Sequence, residues 1–183
     1  MYADDVTISV SSTNKDTDDI WKRAQRSIDY IQNLCSSNNM ELSASKTVEM
    51  IISARKHHRV KPITINATNI KQVDSVKLLG ITTDSHLTFR EHVINCQKKA
   101  NQRIFWIRTL SRHGANKVGL LNMYRSYVRS LFEYASPAWF PFISNDLKGI
   151  IECVEHAALQ IIFPELNYSD ALAASHMTSI CDH

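Results

Sequence analysis

The stretch VINCQKKANQRIFWIRTLSRHG, residues 93–114, decides the fold. Val93, Cys96, Ala100, Ile104, Ile107 and Leu110 recur at intervals of three and four, the period that aligns one side of an α-helix. Gly114 stands where such a helix ends, because glycine readily takes the left-handed conformation found just past a helix C-terminus. A second helical stripe follows in Leu121, Tyr124, Val128, Leu131 and Ala135, with a stop at Pro137. A third, capped by Ser144 or Asn145, carries Leu147, Ile151, Val154, Ala158 and Ile161 and is halted by Pro164. Ser169 starts a short last helix. From residue 85 onward the sequence therefore predicts three main antiparallel helices.

Upstream the pattern is mixed. Ile20, Ala24, Ile28, Ile31 and Leu34 predict a helix after the polar loop Asn14–Asp19, ending at Ser36-Ser37-Asn38-Asn39. Lys46–Ser53 reads as a β-rich run, with Val48, Met50 and Ile52 on one face and Ile51 on the other. Ile63, Ile65 and Ile70 around the polar stretch Asn66–Asn69 predict a short hairpin, and Val76–Ile81 a further strand. Val6, Ile8 and Val10 alternate weakly after Asp4-Asp5, as a strand leaving a turn would. The fold class is thus α+β, with residues 1–84 bearing the strands and 85–183 the helices.

Composition narrows the class. Apolar residues make up 44% of the 183 and charged ones 21%, with four Gly and four Pro, which disfavours disordered or fibrous chains and favours a helix-rich globular one. Cys35, Cys96, Cys153 and Cys181 lie far apart without a C-x-x-C pair or a histidine at ligand spacing, so neither a zinc site nor a disulfide framework is expected. The sequence has no apolar run of membrane-spanning length and no signal-peptide pattern at its start, so no membrane partner is expected. An intracellular, reducing location is expected, with nucleus and cytoplasm equally consistent.

The net charge of +3 conceals an uneven distribution. Between Phe89 and Ser130 stand Arg90, Lys98, Lys99, Arg103, Arg108, Arg112, Lys117, Arg125 and Arg129 against the single acid Glu91, a net of +8 that leaves −5 for the remainder. Such asymmetry suits a basic part that touches phosphate beside a part that holds cations. A solvated helical face would give the same pattern.

Tyr2-Ala3-Asp4-Asp5 is the most suggestive short motif. Adjacent carboxylates at a hairpin tip repel each other unless a cation lies between them, and Mg²⁺ prefers carboxylate oxygens while keeping positions open for phosphates. The following segments include Leu42-Ser43-Ala44-Ser45-Lys46-Thr47, Val76-Lys77-Leu78-Leu79-Gly80-Ile81 and Leu87-Thr88-Phe89-Arg90-Glu91-His92-Val93. Tyr127-Val128-Arg129-Ser130, Glu133-Tyr134-Ala135-Ser136-Pro137-Ala138-Trp139 and Ile161-Ile162-Phe163-Pro164 complete the series. In order and spacing it resembles the reverse transcriptases of non-LTR (LINE-like) retrotransposons from their YADD box onward, over essentially the whole chain.

The resemblance implies an incomplete polymerase palm (a hairpin remnant, a helix and short antiparallel strands) followed by a helical thumb. Asp4 and Asp5 would be catalytic metal ligands for Mg²⁺, and Lys46 a general acid toward pyrophosphate or a phosphate-pairing lysine. Leu78, Leu79 and Gly80 would grip the primer. Lys98, Lys99, Arg103, Arg108, Arg112, Lys117, Arg125 and Arg129 would hold the backbone of an RNA/DNA template–primer duplex, with deoxynucleoside triphosphates as partners only of the complete enzyme. Fingers and an earlier palm Asp belong to that pattern and do not precede Tyr2, so this chain is expected to be inactive as a polymerase alone. Two other functions fit the helical half: an RNA/DNA-binding module without sequence preference, and a protein-interaction module. Trp106, Trp139, Tyr124 and Tyr127 are expected to pack between helices rather than stack on bases, and His57 and His58 to be surface residues.

Overall fold

The computed structural model describes residues 6–11, 17–53 and 61–182. The chain is mixed α+β and divides into two compact units between Val76 and Lys77.

In the first unit, helix α1 (Thr17–Ser37) begins with Asp18 and Asp19, acids that complement the positive end of the helix dipole. It stops where Asn39 turns to φ 54° and the Asn38 amide donates to the Leu34 carbonyl at 2.8 Å. Short strands follow: β1 (Val48–Glu49), β2 (Thr64–Ile65), β3 (Thr68–Asn69) and β4 (Lys71–Gln72). Strands β2 and β3 form the expected hairpin, antiparallel, with Ile65 opposite Thr68. Asn66 and Ala67 both have positive φ at its tip, the backbone that matches the twist of a two-residue hairpin.

Trp21, Gln25, Ile28 and Gln32 share one face of α1 and meet this hairpin. The Trp21 indole donates to the Pro62 carbonyl at 3.2 Å. The Gln25 amide both donates to the Thr64 carbonyl (2.9 Å) and accepts from its N–H (3.0 Å), so a side chain stands in for a neighbouring strand. Ile28, Ile63, Ile65 and Ile70 form the buried cluster beneath.

Three expectations for this unit are corrected. Residues 6–11 form no strand; an extended segment needs a neighbour for its ladder, and none pairs with it among the described residues. The Lys46–Ser53 run forms strand only at Val48–Glu49, and it pairs with β4 in parallel, not antiparallel. Leu34 is 47% exposed, because the buried side of α1 is turned toward the Trp21–Gln32 face.

Strand β5 (Ser75–Leu78) spans the division, and β6 (Ile81–Asp84) pairs with it. The Asp84 carboxylate then organises the chain's entry into the helices: it accepts from the backbone N–H groups of His86, Thr88 and Phe89 and from the Thr88 hydroxyl, at 2.8–3.1 Å. Partial burial opposes its charge, but these four donors outweigh it and hold the carboxyl below its usual range.

Helix α2 (Arg90–Arg112) runs to Gly114, whose φ of +82° ends it as expected. The second stripe is less regular than its sequence suggests. It begins as α3 (Lys117–Met123), capped by the Asn116 side chain on the Gly119 N–H, loosens into a π turn over Tyr124–Arg129, and closes as α4 (Ser130–Glu133). It thus ends before Ala135, which sits at φ 49°. Pro137 instead lies inside the first turn of α5 (Ser136–Trp139), where its missing N–H leaves no bond unmade.

Helix α6 (Asn145–Ile162) packs along α2, and α7 (Tyr168–Ser175) is capped by Asn167 rather than Ser169. Val93, Ala100, Ile107, Tyr124, Val128, Phe132, Trp139, Ile151 and Ala158 are buried almost completely in one continuous core.

Candidate nucleic-acid interface

The buried face of α2 carries Val93, Cys96, Ala100, Ile104 and Ile107. On the opposite side Lys98, Gln102, Phe105, Thr109 and Arg112 follow one another at helical spacing, offsets of 4, 7, 11 and 14. Lys99 and Trp106 flank that row on one side and Arg108 on the other. Lys98, Lys99, Arg108 and Arg112 are exposed, with no hydrogen-bond or ion-pair partner among the described residues. The row from Lys98 to Arg112 is about 21 Å long at 1.5 Å per residue.

The other four expected phosphate ligands are engaged within the fold. Arg129 is corrected outright: it is 6% exposed, pairs with Glu133 at 2.6 Å and with Glu155 at 3.3 Å, and donates to the Thr178 carbonyl at 2.8 Å. Arg103 donates to the Tyr127 carbonyl, within the π turn. Arg125 donates to the Ser175 carbonyl. Lys117 pairs with Glu165 and lies over the Phe163 ring. These four each meet a partner elsewhere in the fold, whereas Lys98, Lys99, Arg108 and Arg112 face water.

The aromatic residues sort the same way. Trp139 and Tyr124 are fully buried, as expected, but Trp106 is 61% and Tyr127 57% exposed. Phe105, which the sequence reading passed over, is 59% exposed and meets Trp106 edge-to-face with centroids 5.9 Å apart. Its signal was legible: it falls off the apolar stripe and onto the row of Lys98 and Gln102.

The expected primer-gripping segment forms the β5–β6 turn. Leu79 (φ 46°) and Gly80 (φ 88°) are both left-handed, and Leu78 and Leu79 are exposed. A leucine in this conformation costs roughly 1–2 kcal/mol. The Tyr134 hydroxyl donates to the Leu79 carbonyl at 2.8 Å and fastens the tip to the end of α4, within the second unit. Glycine is required at position 80 by the turn itself.

Lys46 is exposed in the turn that closes on the Ser43 carbonyl, without a partner among the described residues. Tyr2, Ala3, Asp4 and Asp5, and likewise His57 and His58, lie outside the described residues. Among those described, no group of three or more His, Cys, Asp or Glu side chains is placed to hold a metal ion, and no helix is long and apolar enough to cross a membrane.

Two buried polar sites escaped the sequence reading. Glu155 is fully buried, and its carboxylate accepts from Tyr124 (3.0 Å), Arg129, Tyr168 (2.9 Å), Ser179 (3.2 Å) and the Ile180 N–H (3.1 Å). Burial, followed by the Glu155 charge, pushes the Tyr124 hydroxyl well above its ordinary value; burial, with Glu155 again contributing, pushes Tyr168 up to about 12. Both phenols therefore stay protonated and donate. A buried charge supplied with this many donors is a satisfied structural network, fastening the segment after α7 to α6. The sign of it in the sequence is a glutamate on the apolar stripe, between Ile151 and Ala158.

His92, 5% exposed, is edge-on to Trp139 at 5.1 Å, takes the Thr82 N–H on Nδ1 at 3.4 Å and lies 3.8 Å from the Cys96 thiol. Burial raises the thiol and, with Lys99 adding to it, lowers the imidazole. Both are held neutral in the core, the opposite of an activated nucleophile and base.

In comparisons with known proteins, no family model matches the sequence, no curated protein matches it and no solved structure matches the chain.

Proposed function

We propose that this chain is a late-palm and thumb portion of an RNA-directed DNA polymerase of the non-LTR retrotransposon type, and that its helical unit binds nucleic-acid backbone with little sequence preference. The observation carrying this reading is the outward face of α2, where Lys98, Lys99, Arg108 and Arg112 stand along one helix without a hydrogen-bond or ion-pair partner among the described residues. Unpaired cations in a row neutralise successive phosphates and release counterions, which gives affinity without reading bases. The ordered motifs from Lys46 to Phe163 support the polymerase origin, with Leu78, Leu79 and Gly80 as the part facing a primer end. Mg²⁺ enters this reading only through Asp4 and Asp5. Deoxynucleoside triphosphates enter this reading as substrates of the complete enzyme.

Titrating a labelled template–primer against the chain at several salt concentrations tests the binding. Four phosphates neutralised predict a slope of log affinity against log salt of roughly −3 to −4. Replacing Lys98, Lys99, Arg108 and Arg112 together by glutamine should flatten the slope and abolish binding, while Lys117→Gln should change little. Affinity indifferent to salt, or no binding at low salt, would leave the helical unit as a protein-interaction module instead. Primer extension that disappears on Asp4→Ala with Asp5→Ala would assign the metal role to this pair.

A further inference from the structure

We infer that Phe105 and Trp106 form a stacking platform for unpaired bases, so that the outward face of α2 takes single-stranded nucleic acid in preference to blunt duplex. The inference rests on the backbone-binding reading above and names the form of nucleic acid that this face receives.

The two rings are among the largest exposed apolar side chains, at 59% and 61% exposure, and among the described residues they meet each other edge-to-face rather than any core residue's ring. Their placement relative to charge is regular. Lys98 lies seven residues before Phe105, Lys99 seven before Trp106, and Arg112 seven after Phe105, so cations stand two helical turns away, about 10.5 Å, on either side of the pair. Arg108 sits one turn beyond Phe105. The only acid on α2 is Glu91, in its first turn.

A ligand for this face must be anionic at intervals and offer flat apolar surface between the charges. Duplex nucleic acid meets the first condition alone, because its bases are stacked on one another and its outside is phosphate and sugar. A single strand meets both: its phosphates reach the flanking Lys and Arg, and its bases expose π-faces that stack on aromatic rings whatever their sequence. Backbone contact needs cations only. Two solvent-facing aromatic rings inside the cationic row have a use where bases are unpaired.

The experiment compares the full chain's affinity for a labelled mixed-sequence single strand and for a blunt duplex of the same length, at one low salt concentration. Single strand should bind more tightly. The double variant Phe105→Ala with Trp106→Ala should lose about tenfold or more for the single strand, since stacking on one aromatic is worth about fivefold or more per base and two rings are removed, and nothing for the duplex. Phe105→Tyr with Trp106→Phe should restore the preference. Both rings face solvent, so unchanged helical circular dichroism is expected and confirms that the variants fold.

Equal or tighter duplex binding, or an alanine variant that loses neither or both equally, overturns this inference while leaving backbone binding intact. A concentration-dependent dimer abolished by the alanine variant also overturns it, by assigning the rings to a second copy of the chain. Failure of both nucleic acids to bind removes the proposed function along with it.

Discussion

The two units are stabilised in different ways. The first sets one helix against a two-residue-stranded hairpin over four buried isoleucines, and makes up the contact with side-chain amides from Gln25 and Gln32. The second closes a continuous apolar core of more than twenty buried residues and sinks a carboxylate and a guanidinium into it. A core that small sits near the limit at which burial balances chain entropy. A core as large as the second unit's tolerates a buried charge pair, provided every lone pair is met. Size therefore decides which kind of defect each unit feels.

The largest expected effect is in the second unit. Glu155→Ala removes the buried acceptor on which Tyr124, Arg129, Tyr168, Ser179 and the Ile180 N–H converge, and removing one side of a buried ion pair costs about 3–5 kcal/mol. Residue-resolved hydrogen exchange should show protection falling in α6 and after Tyr168, with α1 unchanged. If α1 loses protection equally, the two units fold as one and the contrast between them fails.

Ile65→Ala is the corresponding lesion in the first unit. Ile65 is fully buried, and such a truncation costs about 2–5 kcal/mol, enough to unfold a unit with little in reserve. Protection should vanish from α1 and the hairpin while α2 and α6 keep theirs. Retained protection in α1 would mean that its stability comes from elsewhere.

Ala67→Gly should act in the opposite direction. Alanine at φ 60° strains the hairpin turn, and Asn-Gly is the favoured pair for that geometry, so a gain of about 1 kcal/mol is expected, read as a rise in the first unit's melting temperature. A loss would show that the turn's strain is compensated by contacts glycine cannot make.

The smallest effect is a pH dependence confined to the second unit. His92 is lowered in the folded state, first by burial and then by Lys99, so the unfolded chain takes up a proton at a higher pH than the folded one. Its contribution is complete above the ordinary histidine range near 6.5 and is lost as pH falls from there through the depressed value. Denaturant midpoints should drop over that interval for α2 and α6 in the native chain, and less so in His92→Gln. An equal drop in both would place the titrating group elsewhere.

Much of the fold was legible because the signals are local. The stripe from Val93 to Ile107, the stop at Gly114 and the hairpin of Ile63, Ile65 and Ile70 around Asn66–Asn69 each depend on residues within a few positions of one another, though the turn itself is confined to Asn66-Ala67. The irregular second helix was not legible, since the π turn over Tyr124–Arg129 lies against α2 and is tied to distant positions through Glu155, which takes Tyr124 and Arg129, and through the Thr178 carbonyl. The parallel pairing of Val48–Glu49 with Lys71–Gln72 was likewise hidden, because a two-residue strand carries too little pattern to name its partner.

The candidate site divides along the same line. The sequence by itself determined that α2 is an amphipathic helix in a basic region, because helical period is a property of spacing alone; the exposure of Trp106, expected to pack between helices, and of Phe105 beside it belongs to the tertiary structure. Only the tertiary structure decided which charges are available to a ligand. Arg103, Lys117, Arg125 and Arg129 look no different from Lys98 or Arg112 along the chain, yet their partners Tyr127, Glu165, Ser175 and Glu155 lie 24 to 50 positions away. A cation is free or engaged according to what the fold brings beside it, and folding brings those acceptors to four of the eight and leaves the α2 row open to solvent.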